Sequence, residues 1–533
     1  MSSEARTVIE TVAGYLAPGD ADKAEFEGVL WTGQIGTDYR APGEPECFRD
    51  LNLDQAVDGI VRGRDEYDLR PFFFLPLTDV AQVRGRHDVF RDLESASLSS
   101  AIRSFATLMR SMRQCLQAAR TVDYRYSSER WFLDATDAYC TGVERLRRGL
   151  VESDLQARSL QRLRECLAAL VESSRFATLA AETRHLESGL GAIQYSLLIK
   201  DGAVTVRNLG AETDYGPVVD ETLAKLGQGA ESRERTSLPP PSSMNHIHAQ
   251  VLERVALLNP EVFAALEDFP KRYGRFLDEA VVRFDREIQF YLAYLDFTEP
   301  LKHAGLKLCY PDVARGRKQV QSRDSFDLAL ASKLVGQGVE VVSNDFHLEG
   351  NERILVVTGP NQGGKTTFAR AFGQLCYLAS LGCPVPGTEA RLPLLDRVLT
   401  QFEREETVAN RRGKLEDDLW RMRKILSEAT PDSVVILNEM FASTTATDAL
   451  ELGRRILQRI MDRDLLCVCV TFLDELSRQS DKTVSMVAAV APDDPARRTY
   501  KVQRRPADGR AYALVIVEKY RLSPDKLQER MKR

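Results

Sequence analysis

Between residues 100 and 175 apolar side chains recur at helical spacing. Ile102, Phe105, Met109, Met112 and Leu116 are spaced 3, 4, 3, 4, and Leu160, Leu163, Leu167 and Leu170 repeat the alternation. That is a heptad seam, and it predicts long helices packed at a shallow angle. A second seam runs through Leu277, Val281, Phe284, Ile288, Tyr291 and Leu295. The two helical stretches suit the arms of one antiparallel lever, with a plain helical bundle as the alternative.

The insert between the seams has another composition. In "IQYSLLIKDGAVTVRNL" apolar runs flank Asp201-Gly202, which predicts a hairpin. The Pro- and Ser-rich "TSLPPPSSMNHIH" predicts an exposed loop. His246 and His248 flank Ile247 there; with no Cys or acidic cluster beside them they read as ordinary loop residues, and a metal site is the minor alternative. Ahead of the seams, "RPFFFLPLTDVAQVRGRHDVFRDLE" predicts an aromatic knot, a Pro stop and a helix. Its Arg84, Arg86 and Arg91 are candidates for phosphate contact, though solvated or ion-paired arginines are the plainer expectation.

From about residue 305 short apolar runs alternate with amphipathic ones: "GVEVVSN", "RILVVTG", "FARAFGQLCYLASL", "SVVILNE", "DALELGRRILQRIM" and "LLCVCVTF". Strands separated by helices predict an α/β domain with a largely parallel sheet. The expected layout is a mixed region over 1–95, a helical region over 96–304 with its insert at about 185–250, and an α/β region over 305–533.

Composition narrows the class. The chain has 533 residues, 28% charged and 43% hydrophobic, with a net charge of −6, as expected of a soluble globular protein that is not basic throughout. No run approaches the ~18 apolar residues a membrane span requires. The start "MSSEARTVIETVAGYL" has no basic segment followed by an apolar one, so no secretory signal is expected. Nine cysteines are scattered without a CxxC pair, and Cys467 and Cys469 alternate onto one face of a strand; buried reduced thiols and a cytoplasmic location are expected, with a zinc site as the minor alternative.

The chemistry lies where "RILVVT" ends in "GPNQGGKTT" and a helix follows. Gly359, Gly364, Lys365 and Thr366 fill a G-x-x-x-x-G-K-[ST] pattern in its strand–loop–helix setting. Glycines let backbone N–H groups curl around a phosphate, and the helix N-terminus adds its dipole. Lys365 can meet β- and γ-phosphates, and the Thr366 hydroxyl can bind magnesium. The candidate nucleotide contacts are Gly359, Pro360, Asn361, Gln362, Gly363, Gly364, Lys365, Thr366 and Thr367. "VVILNE" offers a second strand: Glu439 can orient or deprotonate water, and Asn438 can hold a magnesium-bound water through its carbonyl oxygen.

"TGPNQGGKTT", "NEMFASTTATDA" and "VTFLDEL", in this order, resemble the ATPase domain of the MutS DNA mismatch-repair family. The tail "DGRAYALVIVEKYRLSPDKLQERM" resembles the family's closing helix-turn-helix dimerisation element. The resemblance implies a multidomain fold: an α-helical lever and clamp region plus a C-terminal α/β P-loop ATPase domain of the ABC type. It implies ATP and Mg2+ as cofactors, DNA as ligand, a homodimer and a repair or recombination protein as possible partner. It also implies that Thr445 reaches the partner subunit's γ-phosphate, that Asn344 lies on the adenine side with Phe346 near the base, and that Asp418 and Leu419 end a nucleotide-linked loop. Two departures stand out. Asn438 replaces the family's magnesium-associated Asp, and Phe472 replaces its switch histidine. Fewer than 100 residues precede the helical arms, and no Phe-x-Glu mismatch wedge can be placed in them. The expectation is a short homologue that hydrolyses ATP slowly and binds branched or looped DNA by shape, the alternative being a nucleotide-gated protein scaffold.

Overall fold

A computed structural model describes residues 11–17, 26–31, 43–200, 203–210, 246–403, 413–491 and 497–507. The chain is multidomain, with a helical part and a part of mixed α/β sheets joined through one continuous apolar core.

Short helices α1 (Cys47–Asp50) and α2 (Leu53–Val61) and two 3-10 turns lead into α3 (Val80–Asp92). The helical part comprises α4 (Ala96–Thr121), α5 (Arg125–Val151), α6 (Arg158–Glu172), α7 (Ser174–Gly191), α8 (His246–Leu258), α9 (Pro260–Tyr273) and α10 (Glu279–His303). The first seam is buried along α4, from Ile102 to Leu116. It packs antiparallel to α5: the Gly149 backbone lies against Ala101 and Gly142 against Phe105 and Met109. The second seam is buried along α10 except for the half-buried Leu295. The two seams meet, with the Phe105 and Phe284 rings 5.7 Å apart. A buried polar knot fixes their register: the Arg113 guanidinium donates to Asp285, to the Tyr67 hydroxyl and to Glu66. Losing one partner would strand a buried charge.

Strands β1 (Tyr195–Lys200) and β2 (Ala203–Asn208) pair antiparallel with Lys200 opposite Ala203, as the hairpin reading requires. Asp201 and Gly202 lie outside the described residues. His246 and His248 are not in a loop: they lie in α8, and the residues just before it lie outside the described ones.

The α/β part begins with β3 (Leu308–Cys309), β4 (Asp312–Ala314), β5 (Val320–Ser325), α11 (Leu328–Gly336), β6 (Asn344–Leu348), β7 (Ile354–Thr358) and α12 (Lys365–Ser380). It continues with β8 (Val385–Pro386), β9 (Glu389–Pro393), β10 (Val398–Gln401), α13 (Lys414–Glu428), β11 (Val434–Asn438) and α14 (Ala446–Asp462). Strands β12 (Leu466–Val470), β13 (Thr483–Val490) and β14 (Arg498–Arg504) complete it. Six strands run β10-β11-β12-β7-β13-β14, parallel except for the β13–β14 pair. A second sheet runs β4-β9-β5-β6. In β7 and β12 every residue is buried, as expected of parallel strands covered on both faces. Cys467 and Cys469 face one core cluster together, and burial pushes the Cys469 thiol up to about 12. The segment "GVEVVSN" gives a strand only from Asn344 onward; its valines do not enter the sheet.

Residues 43–95 mortar the two parts together. Phe48 packs edge-on against Tyr377 at 5.2 Å, and Phe73 lies 4.8 Å from Phe290. Arg86 is neither solvated nor ion-paired. It is fully buried, stacks between Trp31 and Phe290, and donates to the Leu30 and Leu381 carbonyls. Arg91 pairs with Asp88 and lies over the Tyr310 ring, so these two arginines are structural. No described helix is long and apolar enough to cross a membrane.

Candidate functional site

The site grows from the end of β7, between β12 and β13, where parallel strands leave a crevice at their carboxyl ends. The chain turns out of the sheet at Gly359, whose φ of +121° few L-residues adopt and whose Hα side faces the Ala488 backbone. It turns again at Gly364, φ +92°, to start α12. Gln362 holds φ +59°, an uncommon conformation for a residue with Cβ. Lys365 is the first helical residue and is buried. Its ammonium donates to the Gly359 carbonyl at 2.9 Å and the Pro360 carbonyl at 3.2 Å, and lies 4.2 Å from the centre of the Phe472 ring. Burial lowers its pKa, opposed by the Glu439 carboxylate and reinforced by Arg498. Arg498 itself donates to the Asn361 carbonyl and so ties β14 to the loop.

At the end of β11, the Thr366 hydroxyl donates to Asn438 Oδ1 at 2.9 Å. This joins the two positions named for magnesium. A hydroxyl and an amide carbonyl carry no charge, so a divalent ion here must draw on phosphate oxygens and water, which suits Mg2+. Among the described residues no group of three or more His, Cys, Asp or Glu could hold a metal by itself. Glu439 follows with φ +55°, held by its N–H on the Val470 carbonyl, and lines the same crevice.

The crevice encloses about 460 Å³. Asn361 to Thr367 form its floor, Glu439 lies at one side, and Leu330, Leu334, Val339, Val341 and Tyr500 form an apolar slot. The valines of "GVEVVSN" thus serve as pocket wall, which explains why they form no strand. Asn344 also lines the pocket, but its amide is engaged elsewhere: Nδ2 donates to the Tyr500 carbonyl and Oδ1 accepts from the Val502 N–H at 2.7 Å. It clasps an irregularity in the β13–β14 ladder, between the Ala488–Val502 and Val490–Arg498 pairs. Tyr500 sits in that irregularity at φ +58°, half-exposed beside Gly364. Phe346 does not reach the pocket; it is buried against Phe368 and Phe372. Tyr500 is the aromatic that does, and its approach depends on the register of a distant strand.

Thr445 lies outside this crevice. It caps α14, accepting from the Asp448 N–H and donating to the Asp448 carboxylate, and remains exposed. Asp418 accepts from the Gln401 amide, while Leu419 and Trp420 are exposed on α13. The closing element lies outside the described residues.

The family model described as MutS domain V matches residues 355–531. DNA mismatch repair protein MutS of Halalkalibacterium halodurans is 27% identical over 264 residues, 45% of this chain and 30% of that protein. DNA mismatch repair protein MutS 2 of Halobacterium salinarum is 27% identical over 269 residues, 44% of this chain and 31% of that protein. DNA mismatch repair protein MutS of Zymomonas mobilis is 31% identical over 175 residues, 33% of this chain and 19% of that protein. The aligned part thus spans less than a third of these relatives' own length.

Proposed function

We propose, from the premise that the chain belongs to the MutS family, that it is an ATP-dependent DNA-binding protein that hydrolyses ATP slowly. The observation that carries this reading is Lys365 held at the mouth of a glycine loop, with Thr366 and Asn438 joined beside it and Glu439 across the crevice. The loop N–H groups from Gly359 to Thr367 would receive the phosphates, with the dipole of α12 behind them. The apolar slot and Tyr500 suit a nucleobase. When bound, Mg2+ would neutralise phosphate charge, held by Thr366 and, through water, by Asn438. Glu439 would orient the attacking water. In a homodimer the exposed Thr444-Thr445 segment would meet the opposite terminal phosphate. The paired helices α4 and α10 would act as the lever, carrying closure to the β1–β2 hairpin as a clamp on branched or looped DNA.

The amide at Asn438 supplies no negative charge, so magnesium is held less tightly and turnover is slow. Steady-state ATPase assays on the wild type and Asn438→Asp test this. The expected result is measurable slow turnover that the Asp raises; no hydrolysis in either form would remove Glu439 from the role given it.

A second reading, a nucleotide-gated protein scaffold, has one observation in its favour. The hairpin exposes Tyr195, Leu197, Leu198 and Val204, while Lys200 and Arg207 are its basic residues among those described. That surface is less basic than phosphate contacts usually require. Capture of a specific protein together with failure to bind DNA would favour it.

A further inference from the structure

Residues 360–363 make a β-turn, in which the Gly363 N–H donates to the Pro360 carbonyl at 3.2 Å. Its third residue, Gln362, has φ +59°, while Asn361 is not among the residues of positive φ. That combination is a type II turn, which favours glycine or asparagine at the third position. A type I turn, with φ of about −90° there, accepts most residues. The loop thus holds a glutamine in the left-handed region, at a cost that glycine would not bear.

Types I and II differ by a half-turn of the middle peptide, which carries the Asn361 carbonyl and the Gln362 N–H. Turning it over reverses both groups and changes the sign of φ at Gln362. Each peptide of the turn has a bond. Lys365 donates to the Pro360 carbonyl of the first, and the Gly363 N–H holds the third. In the middle one the Asn361 carbonyl accepts from Arg498 Nε at 3.1 Å. That arginine opens β14, far along the chain, and its charge makes this the stronger kind of hydrogen bond. The C=O and N–H of a trans peptide point opposite ways, so the bond also sets where the Gln362 N–H points.

We propose that Arg498 is a positioning residue for the nucleotide's phosphates: by holding the Asn361 carbonyl it keeps the turn in type II and the Gln362 N–H directed at the bound anion. The inference rests on the nucleotide-binding reading given above. Successive N–H groups of such a turn form an anion-binding concavity. Released from Arg498, the middle peptide turns over. Gln362 then relaxes to a negative φ, and a carbonyl that repels phosphate stands where the N–H had been.

The charge of Arg498 also acts on Lys365. Gln362→Gly separates that electrostatic effect from the turn, because glycine takes a left-handed φ freely and the turn then no longer depends on the arginine. Asn361 and Gln362 are exposed and the Arg498 bond lies at the surface, so these changes leave the core intact. Fluorescence titration of the full chain with labelled ADP and a labelled non-hydrolysable ATP analogue tests the proposal, using wild type, Arg498→Met, Gln362→Gly and the double variant. Arg498→Met should weaken both nucleotides by about 5- to 30-fold, the equivalent of holding one L-residue left-handed. Gln362→Gly alone should bind about as wild type does. Adding Arg498→Met to Gln362→Gly should cost no more than about twofold. An equal loss in both backgrounds, or no loss from Arg498→Met, overturns the proposal while leaving nucleotide binding intact. Failure of all four proteins to bind either nucleotide would overturn the nucleotide-binding reading and this inference with it.

Discussion

Asn344 shows how one side chain shapes a site it need not read. Its amide gives the irregular β14 backbone the donor and acceptor that the ladder lacks, and so holds Tyr500 beside Gly364. Asn344→Ala leaves a peptide N–H and a carbonyl unpaired at the pocket edge. Nucleotide affinity should fall about tenfold, the equivalent of one or two lost hydrogen bonds, by the same fluorescence titration. Asn344→Asp keeps the acceptor for Val502 and should lose less. His87 offers a pH test. Its ring is buried against Tyr310, and burial, with Arg91 and Arg84 nearby, pushes its pKa down to about 4. The unfolded chain binds this proton near pH 6.5, so between those values it holds more protons than the folded one. Stability should therefore fall as pH drops through that window, by up to about 3 kcal/mol. His87→Phe should flatten the acid limb of a denaturation series. At this scale the glycine loop and "VVILNE" were legible because spacing and setting specify them. Tyr500 was not, because its place depends on β14 folding back with an irregular register. Phe346 was misread because adjacency in sequence to Asn344 says nothing about which face of β6 it occupies.

Helix α12 couples the loop to the rest of the molecule. It is buried on nearly every side, although its sequence reads as amphipathic. Gln374 locks it: its amide donates to the Leu51 carbonyl and the Asp327 carboxylate, and its oxygen accepts from the Leu328 N–H. One side chain thus joins α12, the start of α11 and the segment after α1. Gln374→Leu would orphan the Leu51 carbonyl and the Leu328 N–H in the core and take one donor from Asp327, which keeps the Leu330 N–H. Unfolding free energy in urea should drop by about 2–4 kcal/mol. The heptad seams were legible because burial on one face forces their period. The helical state of His246 and His248 and the failure of 339–343 to form a strand were not. Those outcomes turn on whether a valine faces a sheet or a pocket, which tertiary packing decides.

Over the whole molecule, residues 43–95 bridge the sheet that carries the loop and the paired helices α4 and α10. Leu77 donates from its backbone to Ser380 at the end of α12, the Tyr377 hydroxyl bonds the Phe73 carbonyl, and Phe73 packs on Phe290 of α10. Any shift of α12 would therefore meet packed side chains all the way to α10, the continuity that the proposed lever requires. The order of segments in the chain suggested arms, insert and ATPase; the bridging role of residues 43–95 emerged only from their contacts. The central claim is that nucleotide at the loop governs a DNA grip at the hairpin end. Its most direct test is anisotropy of a labelled four-way junction and of a linear duplex of equal length, titrated with the full chain with and without ATP across a salt series. The account predicts tighter binding to the junction, dependence on ATP, and a steep loss with salt. Equal binding to both DNAs regardless of ATP, or none to either, would contradict it.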